Sequence, residues 1–121
     1  MQIGFVGLGR MGGNMVRRLM KAGHKCVVFD ISADARKALA KEGATDAPSL
    51  EELVKALSGG TRAVWVMLPA GAITEKTVEQ LGRLLDKDDI VIDGGNSFYK
   101  DDIRRAKALA AKNIRYVDCG T

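Results

Sequence analysis

The chain has 121 residues, 46% hydrophobic, 28% charged and 5% aromatic, with a formal charge of +4. That length suits one domain, and the ordinary apolar fraction argues against disorder. The longest apolar run, Ala63 to Ala72, is far below the roughly 20 residues that span a bilayer, so no membrane helix is expected.

Met1 and Gln2 lead straight into strand-like sequence, so no signal peptide is expected. Ile3 to Val6 is an apolar run stopped by glycine, read as a buried strand. Met11, Met15, Val16 and Leu19 recur at helical spacing from Arg10 to Lys21, with Arg17, Arg18 and Lys21 outward and Gly23 closing the helix. Cys26 to Phe29 is a second strand, closed by Asp30. Ser32 caps a helix over Ala33 to Glu42, and Gly43 stops it. A short third strand fits near Ala44 to Asp46. Ser49 and Glu52 form a capping box for a helix with Leu50, Leu53, Val54 and Leu57 on one face. Ala63 to Leu68 is the fourth strand, ended by Pro69. Ile73, Val78, Leu81, Leu84 and Leu85 follow at helical spacing. Ile90 to Ile92 is a strand running into Asp93-Gly94-Gly95-Asn96. Tyr99 to Ala111 is helical, with Ile103, Ala106 and Leu109 inward and Arg104, Arg105 and Lys107 outward. Ile114 to Val117 is the last strand.

Strand and helix thus alternate through six repeats, and the strands are apolar on both faces. Such strands need cover on each side, which predicts an α/β, Rossmann-like doubly wound parallel sheet of about six strands in the order 3-2-1-4-5-6. The basic residues, 19 against 15 acidic, lie on outer helix faces with few aromatics among them, so nucleic acid is not an expected partner. Cys26 and Cys119 fall on distant strands, which excludes a disulfide, and no metal spacing is present. A reducing, cytoplasmic setting follows most simply. His24 belongs to the surface at the edge away from the ligand side, and Trp65 reads as packing.

Gly7-Leu8-Gly9-Arg10-Met11-Gly12 is a GxGxxG between the first strand and first helix. The first glycine permits a tight turn, the second lets backbone approach a pyrophosphate, and the third lets helix and strand pack closely. Asp30 ends the second strand where an acid meets the adenosine ribose hydroxyls. Its charge opposes a 2′-phosphate, favouring NAD over NADP, although Arg10 or Arg36 could offset part of that repulsion. Leu68-Pro69-Ala70-Gly71 and Asp93 to Ser97 lie at the ligand edge, where Asn96 suits a sugar hydroxyl or carboxamide. No residue set supplies a nucleophile and base, so no catalytic residue is assigned in this chain.

The glycine turn with Gly13-Asn14-Met15, the run Val64-Trp65-Val66-Met67-Leu68-Pro69-Ala70-Gly71, and Asp93-Gly94-Gly95-Asn96-Ser97-Phe98-Tyr99 together resemble the amino-terminal domain of decarboxylating 6-phosphogluconate dehydrogenases, particularly the shorter bacterial form. The resemblance covers essentially all of 1–121. It implies oxidation and decarboxylation of 6-phosphogluconate to ribulose 5-phosphate with reduction of NAD or NADP. It places the pyrophosphate on Gly7 to Gly12, the adenosine ribose on Asp30, Ile31 and Ser32, the cofactor along Leu68, Pro69 and Ala70, and both cofactor and substrate on Asn96. The longer, NADP-using form carries Asn-Arg-Thr where Asp30-Ile31-Ser32 stands here. Family members continue past this point into a substrate loop, a catalytic lysine and glutamate, and a helical domain that completes the site and the dimer. Residues 1–121 alone are therefore expected to bind cofactor without turnover. Two other readings are a 3-hydroxyisobutyrate or tartronate semialdehyde type of dehydrogenase, and a non-enzymatic cofactor sensor or basic nucleic-acid binder.

Overall fold

The computed structural model describes residues 2–57, 61–68, 72–94 and 99–118. Within them strand and helix alternate: β1 (Gln2–Val6), α1 (Arg10–Lys21), β2 (Lys25–Phe29), α2 (Ala33–Lys41), β3 (Thr45–Asp46), α3 (Leu50–Ala56), β4 (Ala63–Val66), α4 (Ala72–Leu84), β5 (Ile90–Asp93), α5 (Tyr99–Ala110) and β6 (Arg115–Asp118). The six strands form one sheet in the order β3-β2-β1-β4-β5-β6, every neighbouring pair parallel. This is the expected Rossmann-like order, but with five helices among the described residues rather than six full strand–helix repeats.

The local signals act as the sequence implies. Ser32 Oγ accepts from the Ala35 N–H and Ser49 Oγ from the Glu52 N–H, starting α2 and α3. At the end of α1 the Gly23 N–H bonds the Met20 carbonyl and the His24 N–H bonds the Leu19 carbonyl. The same wiring closes α2 through Gly43 and Ala44, and α5 through Asn113 and Ile114. These stops turn each chain back into the next strand.

Two apolar layers flank the sheet. Val16 of α1 and Leu39 of α2 pack with Phe5, Cys26 and Val28 on one face. Leu53 and Val54 of α3, Val78 and Leu81 of α4 and Leu109 of α5 pack with Val6, Val64, Val66 and Val91 on the other. Each fully buried Leu or Val contributes about 1.5–3 kcal/mol relative to exposure. Helices thus lie on both faces, as expected, though unevenly. Cover on both faces holds for β1 and β2, but the α1-side row Trp65–Ile92–Val117 passes from half-buried to 48% exposed along β4, β5 and β6. The described helices after β4 all lie on the opposite face.

Away from the ligand edge, the buried Asp89 carboxylate joins the turn before β4 to the turn before β5. It accepts from the Arg62 and Asp86 backbone N–H groups at 2.8 and 2.7 Å and from Arg62 Nε at 3.1 Å. Burial pushes its pKa up, but these donors and the Arg62 charge outweigh burial and hold it below the usual carboxylate value.

Candidate functional site

The glycine turn leaves β1 at Gly7, whose φ of 97° is left-handed and whose N–H bonds the Phe29 carbonyl at 3.0 Å. A Cβ at Gly7 would run into the Met67 carbonyl, and one at Gly12 into the Gly7 carbonyl and the Phe5 ring. These two glycines let β1, α1 and the end of β4 converge. Gly9 differs: a Cβ there would meet nothing within 4 Å. Gly9 is the N-cap of α1, with no side-chain cap and no acid in the first turn. The free N–H groups and positive end of a 12-residue helix therefore face open space, an arrangement suited to an anion.

Leu8 is buried and Arg10 exposed. Met11 is 56% exposed, which corrects its assignment to the inward face of α1. It lies in the first turn, at the strand ends, where the helix has not yet passed over the sheet.

Asp30 follows β2 and braces the turn. Its Oδ2 accepts from the Leu8 N–H at 2.7 Å and its Oδ1 from the Ser32 N–H at 2.9 Å. One N–H on each oxygen leaves lone pairs for a sugar hydroxyl. Ser32 Oγ is committed to capping α2, whereas Ile31 stands 93% exposed at the rim. Arg36, a candidate counter-cation, is turned to Asp46 at 3.3 Å and the Ala47 carbonyl at 3.4 Å.

A cleft of about 360 Å³ brings together Gly7, Gly9, Asp30, Ile31 and Leu68. Phe29, Met67 and Thr77 also line it. Thr77 on α4 carried no motif, and only the return of α4 across the strand ends places it here. Pro69, Ala70 and Asn96, expected to line the cofactor, lie outside the described residues. A groove of about 400 Å³ between α4 and α5, lined by Arg83, Arg104 and Lys112, is separate from the glycine turn.

Beside the edge lies a buried polar cluster. Asp93 is 0% exposed, its Oδ2 accepting from the Tyr116 hydroxyl at 2.7 Å, with Arg105 Nη1 at 3.6 Å. Arg105 is itself buried and pairs with Glu75 at 3.1 Å, correcting its outward assignment. Burial works against its charge, but Tyr116 and Glu75 hold its pKa above the ordinary guanidinium value. The signal lay in spacing: Arg105 precedes the inward Leu109 by four residues and shares its face.

Trp65 stacks on Phe5, ring centres 6.2 Å apart, and Gly94 passes against its indole nitrogen, as a packing role requires. His24 is half-buried, correcting its surface assignment, because the tight end of α1 draws it inward. Cys26 is buried and reduced, burial pushing its thiol pKa up, while Cys119 lies outside the described residues. Among the described residues no cluster of three His, Cys, Asp or Glu could hold a metal, and no helix is long and apolar enough to cross a membrane.

Comparison with known proteins agrees with this geometry. The family described as the NAD binding domain of 6-phosphogluconate dehydrogenase matches residues 2–121. A Haloferax volcanii protein named 6-phosphogluconate dehydrogenase, NAD(+)-dependent, decarboxylating, is 47% identical over 121 residues, covering 100% of this chain and 39% of that protein. A Staphylococcus epidermidis decarboxylating 6-phosphogluconate dehydrogenase is 42% identical, over 98% of this chain and 26% of its own. Among solved structures, Plasmodium falciparum 6-phosphogluconate dehydrogenase superposes with a TM-score of 0.90 at 27% identity, over 99% of this chain and 27% of that one. Mycobacterium tuberculosis 3-hydroxyisobutyrate dehydrogenase gives 0.87 at 25%, over 97% and 39%. The chain thus spans well under half the length of these relatives. With a glycine turn, an acid-ended second strand and a 3-2-1-4-5-6 sheet in place, the chain belongs to the family of 6-phosphogluconate dehydrogenase NAD-binding domains.

Proposed function

We propose that the chain is the dinucleotide-binding part of an NAD-dependent oxidoreductase that oxidises and decarboxylates 6-phosphogluconate to ribulose 5-phosphate. The observation that carries the cofactor preference is the Asp30 carboxylate, fixed by the Leu8 and Ser32 N–H groups beside the glycine turn. A 2′-phosphate within about 4 Å would meet roughly 4 kcal/mol of repulsion per charge pair at an effective dielectric near 20. A hydroxyl there gains about 1 kcal/mol from a hydrogen bond. The balance favours NAD, and the NAD(+)-dependent name of the Haloferax relative supports it.

Bound nicotinamide supplies the hydride acceptor. The chain's own residues bind and orient: Gly7 to Gly12 hold the pyrophosphate, Asp30 to Ser32 the adenosine ribose, Leu68 to Ala70 line the cofactor, and Asn96 touches cofactor and substrate. Residues 1–121 bind without turnover, because no residue among them serves as the general base. Catalytic residues, most substrate contacts and a homodimer or larger assembly belong to the remainder of a longer protein. That protein works in the cytoplasm, in the pentose phosphate pathway or gluconate use. The fold likeness to 3-hydroxyisobutyrate dehydrogenase supports a second reading, with that substrate in place of the phosphorylated sugar acid.

Titration of NAD and NADP into the chain and into Asp30→Asn tests the cofactor reading. The wild type binds NAD more tightly and the variant narrows the gap; tighter NADP binding by the wild type overturns it. The intact protein forms NADH with 6-phosphogluconate and not with 3-hydroxyisobutyrate, whereas purified 1–121 forms none. The opposite substrate selectivity establishes the second reading, and turnover by 1–121 refutes the assignment of catalysis to the remainder.

A further inference from the structure

We propose that Asp46 is a cofactor-specificity residue: it holds Arg36 at β3, away from the adenosine ribose, and so keeps the site selective against a 2′-phosphate. The inference rests on the dinucleotide-binding reading above.

Arg36 lies in the first turn of α2, its N–H directed at the Ser32 carbonyl. Its side chain is only 13% exposed and faces Asp46 Oδ1 at 3.3 Å and the Ala47 carbonyl at 3.4 Å. Asp46 is opposite Val28 in the parallel β2–β3 pair, and the Ala47 N–H closes on the Val28 carbonyl at 2.9 Å. Asp30 stands two residues beyond Val28. Strand rise and spacing then put the Asp30 and Asp46 positions roughly 8 Å apart. The guanidinium is therefore bound by a carboxylate on the strand beside β2, a short distance back from the Asp30 position.

The hold is ionic rather than a well-aligned bond. Arg36 Nε is buried and finds no hydrogen-bond acceptor in the required geometry among the described residues. A guanidinium in that condition would gain from a phosphate, whose oxygens match its planar fork. Asp46 opposes that gain by restraining the cation at β3. It is itself partly exposed, and such pairs contribute little to stability, so its replacement leaves the fold intact.

The test uses the whole chain with Asp46→Asn, Arg36→Met and the double variant, plus Asp46→Ser as a second replacement, each titrated with NAD and NADP by calorimetry. Asp46→Asn and Asp46→Ser raise NADP affinity about tenfold and leave NAD affinity within about twofold. Arg36→Met added to Asp46→Asn removes the gain. An unchanged NADP-to-NAD ratio in folded Asp46 variants overturns the proposal. So does a gain that survives Arg36→Met, since charge removal alone would then account for it. Failure of the wild type to bind NAD at all defeats the dinucleotide reading instead, and the two failures are distinct.

Discussion

Tyr116→Phe removes the hydroxyl that ties β6 to the end of β5. The Tyr116 hydroxyl donates to Asp93 Oδ2 at 2.7 Å, and the carboxylate is fully buried. Phenylalanine keeps the ring, so no large cavity opens and the loss is confined to the hydroxyl's contacts with Asp93 and Arg105. A hydrogen bond to a charged group is worth about 1.5–3 kcal/mol. Arg105 at 3.6 Å still faces the carboxylate, which places the expected loss near the lower part of that range, about 2 kcal/mol. For a domain of this size that corresponds to a fall in Tm of roughly 8 °C. Urea unfolding followed by circular dichroism at pH 7, on the wild type, Tyr116→Phe, Asp93→Asn and the double variant, measures both the loss and its coupling. The two single losses should overlap by more than about 0.5 kcal/mol, as contacting residues do. Strictly additive losses, or a Tyr116→Phe loss below about 0.5 kcal/mol, would show that the cluster does not act as a unit.

The glycine turn and the opposite sheet edge give further tests. Gly9→Ala keeps stability within about 0.5 kcal/mol, since its methyl group meets open space, yet lowers NAD affinity at least about tenfold by occupying the pyrophosphate approach. Gly12→Ala costs about 1–3 kcal/mol of stability because its Cβ enters the Gly7 carbonyl and Phe5 ring. Melting curves and NAD titration separate the two, and wild-type NAD affinity in Gly9→Ala would remove the turn from the site. Asp89→Asn costs about 1–3 kcal/mol at pH 7, because it weakens a buried acceptor of three donors. The Asp89 pKa is lowered on folding, so its stabilisation is full above the unfolded value near about 3.9 and is lost as pH falls through the folded value. The difference between wild type and Asp89→Asn therefore narrows below about pH 4; a constant difference down to about pH 2 would contradict this.

Local patterns carried the fold because each was set by neighbouring residues. Val27, Val64 and Val91 sit in apolar runs too short for helices, and Gly23 and Gly43 end helices with the backbone turn that glycine favours. Gly7, Gly9 and Asp30 were legible for the same reason: a turn and a strand end read from a few consecutive residues. Residues placed by distant partners were not. Arg105 appeared as one more surface cation until Glu75 and Asp93, from other elements, were seen to neutralise it. Asp93 reads locally as part of a ligand-edge turn, while its carboxylate turns inward to Tyr116 from the neighbouring strand. Thr77 reached the cleft only through the path of α4. The half-open α1-side face of β5 and β6 was also hidden, because strand composition says what needs cover and not which helices supply it.

The bond from the Leu8 N–H makes the Asp30 side chain a strut of the glycine turn, and the proposed function gives the same side chain a second role as reader of the ribose. Selection acting on cofactor choice cannot alter the second role without touching the first. A cationic or aliphatic residue at position 30 would strand the Leu8 N–H, at about 1–3 kcal/mol, before any new cofactor contact formed. Asparagine escapes that cost: its carbonyl oxygen keeps the strut while the charge disappears. The mutational path from one dinucleotide to the other is therefore narrow and ordered, with the amide preceding any added cation. The asparagine that the longer, NADP-using form carries at this place has the shape such a path would leave behind.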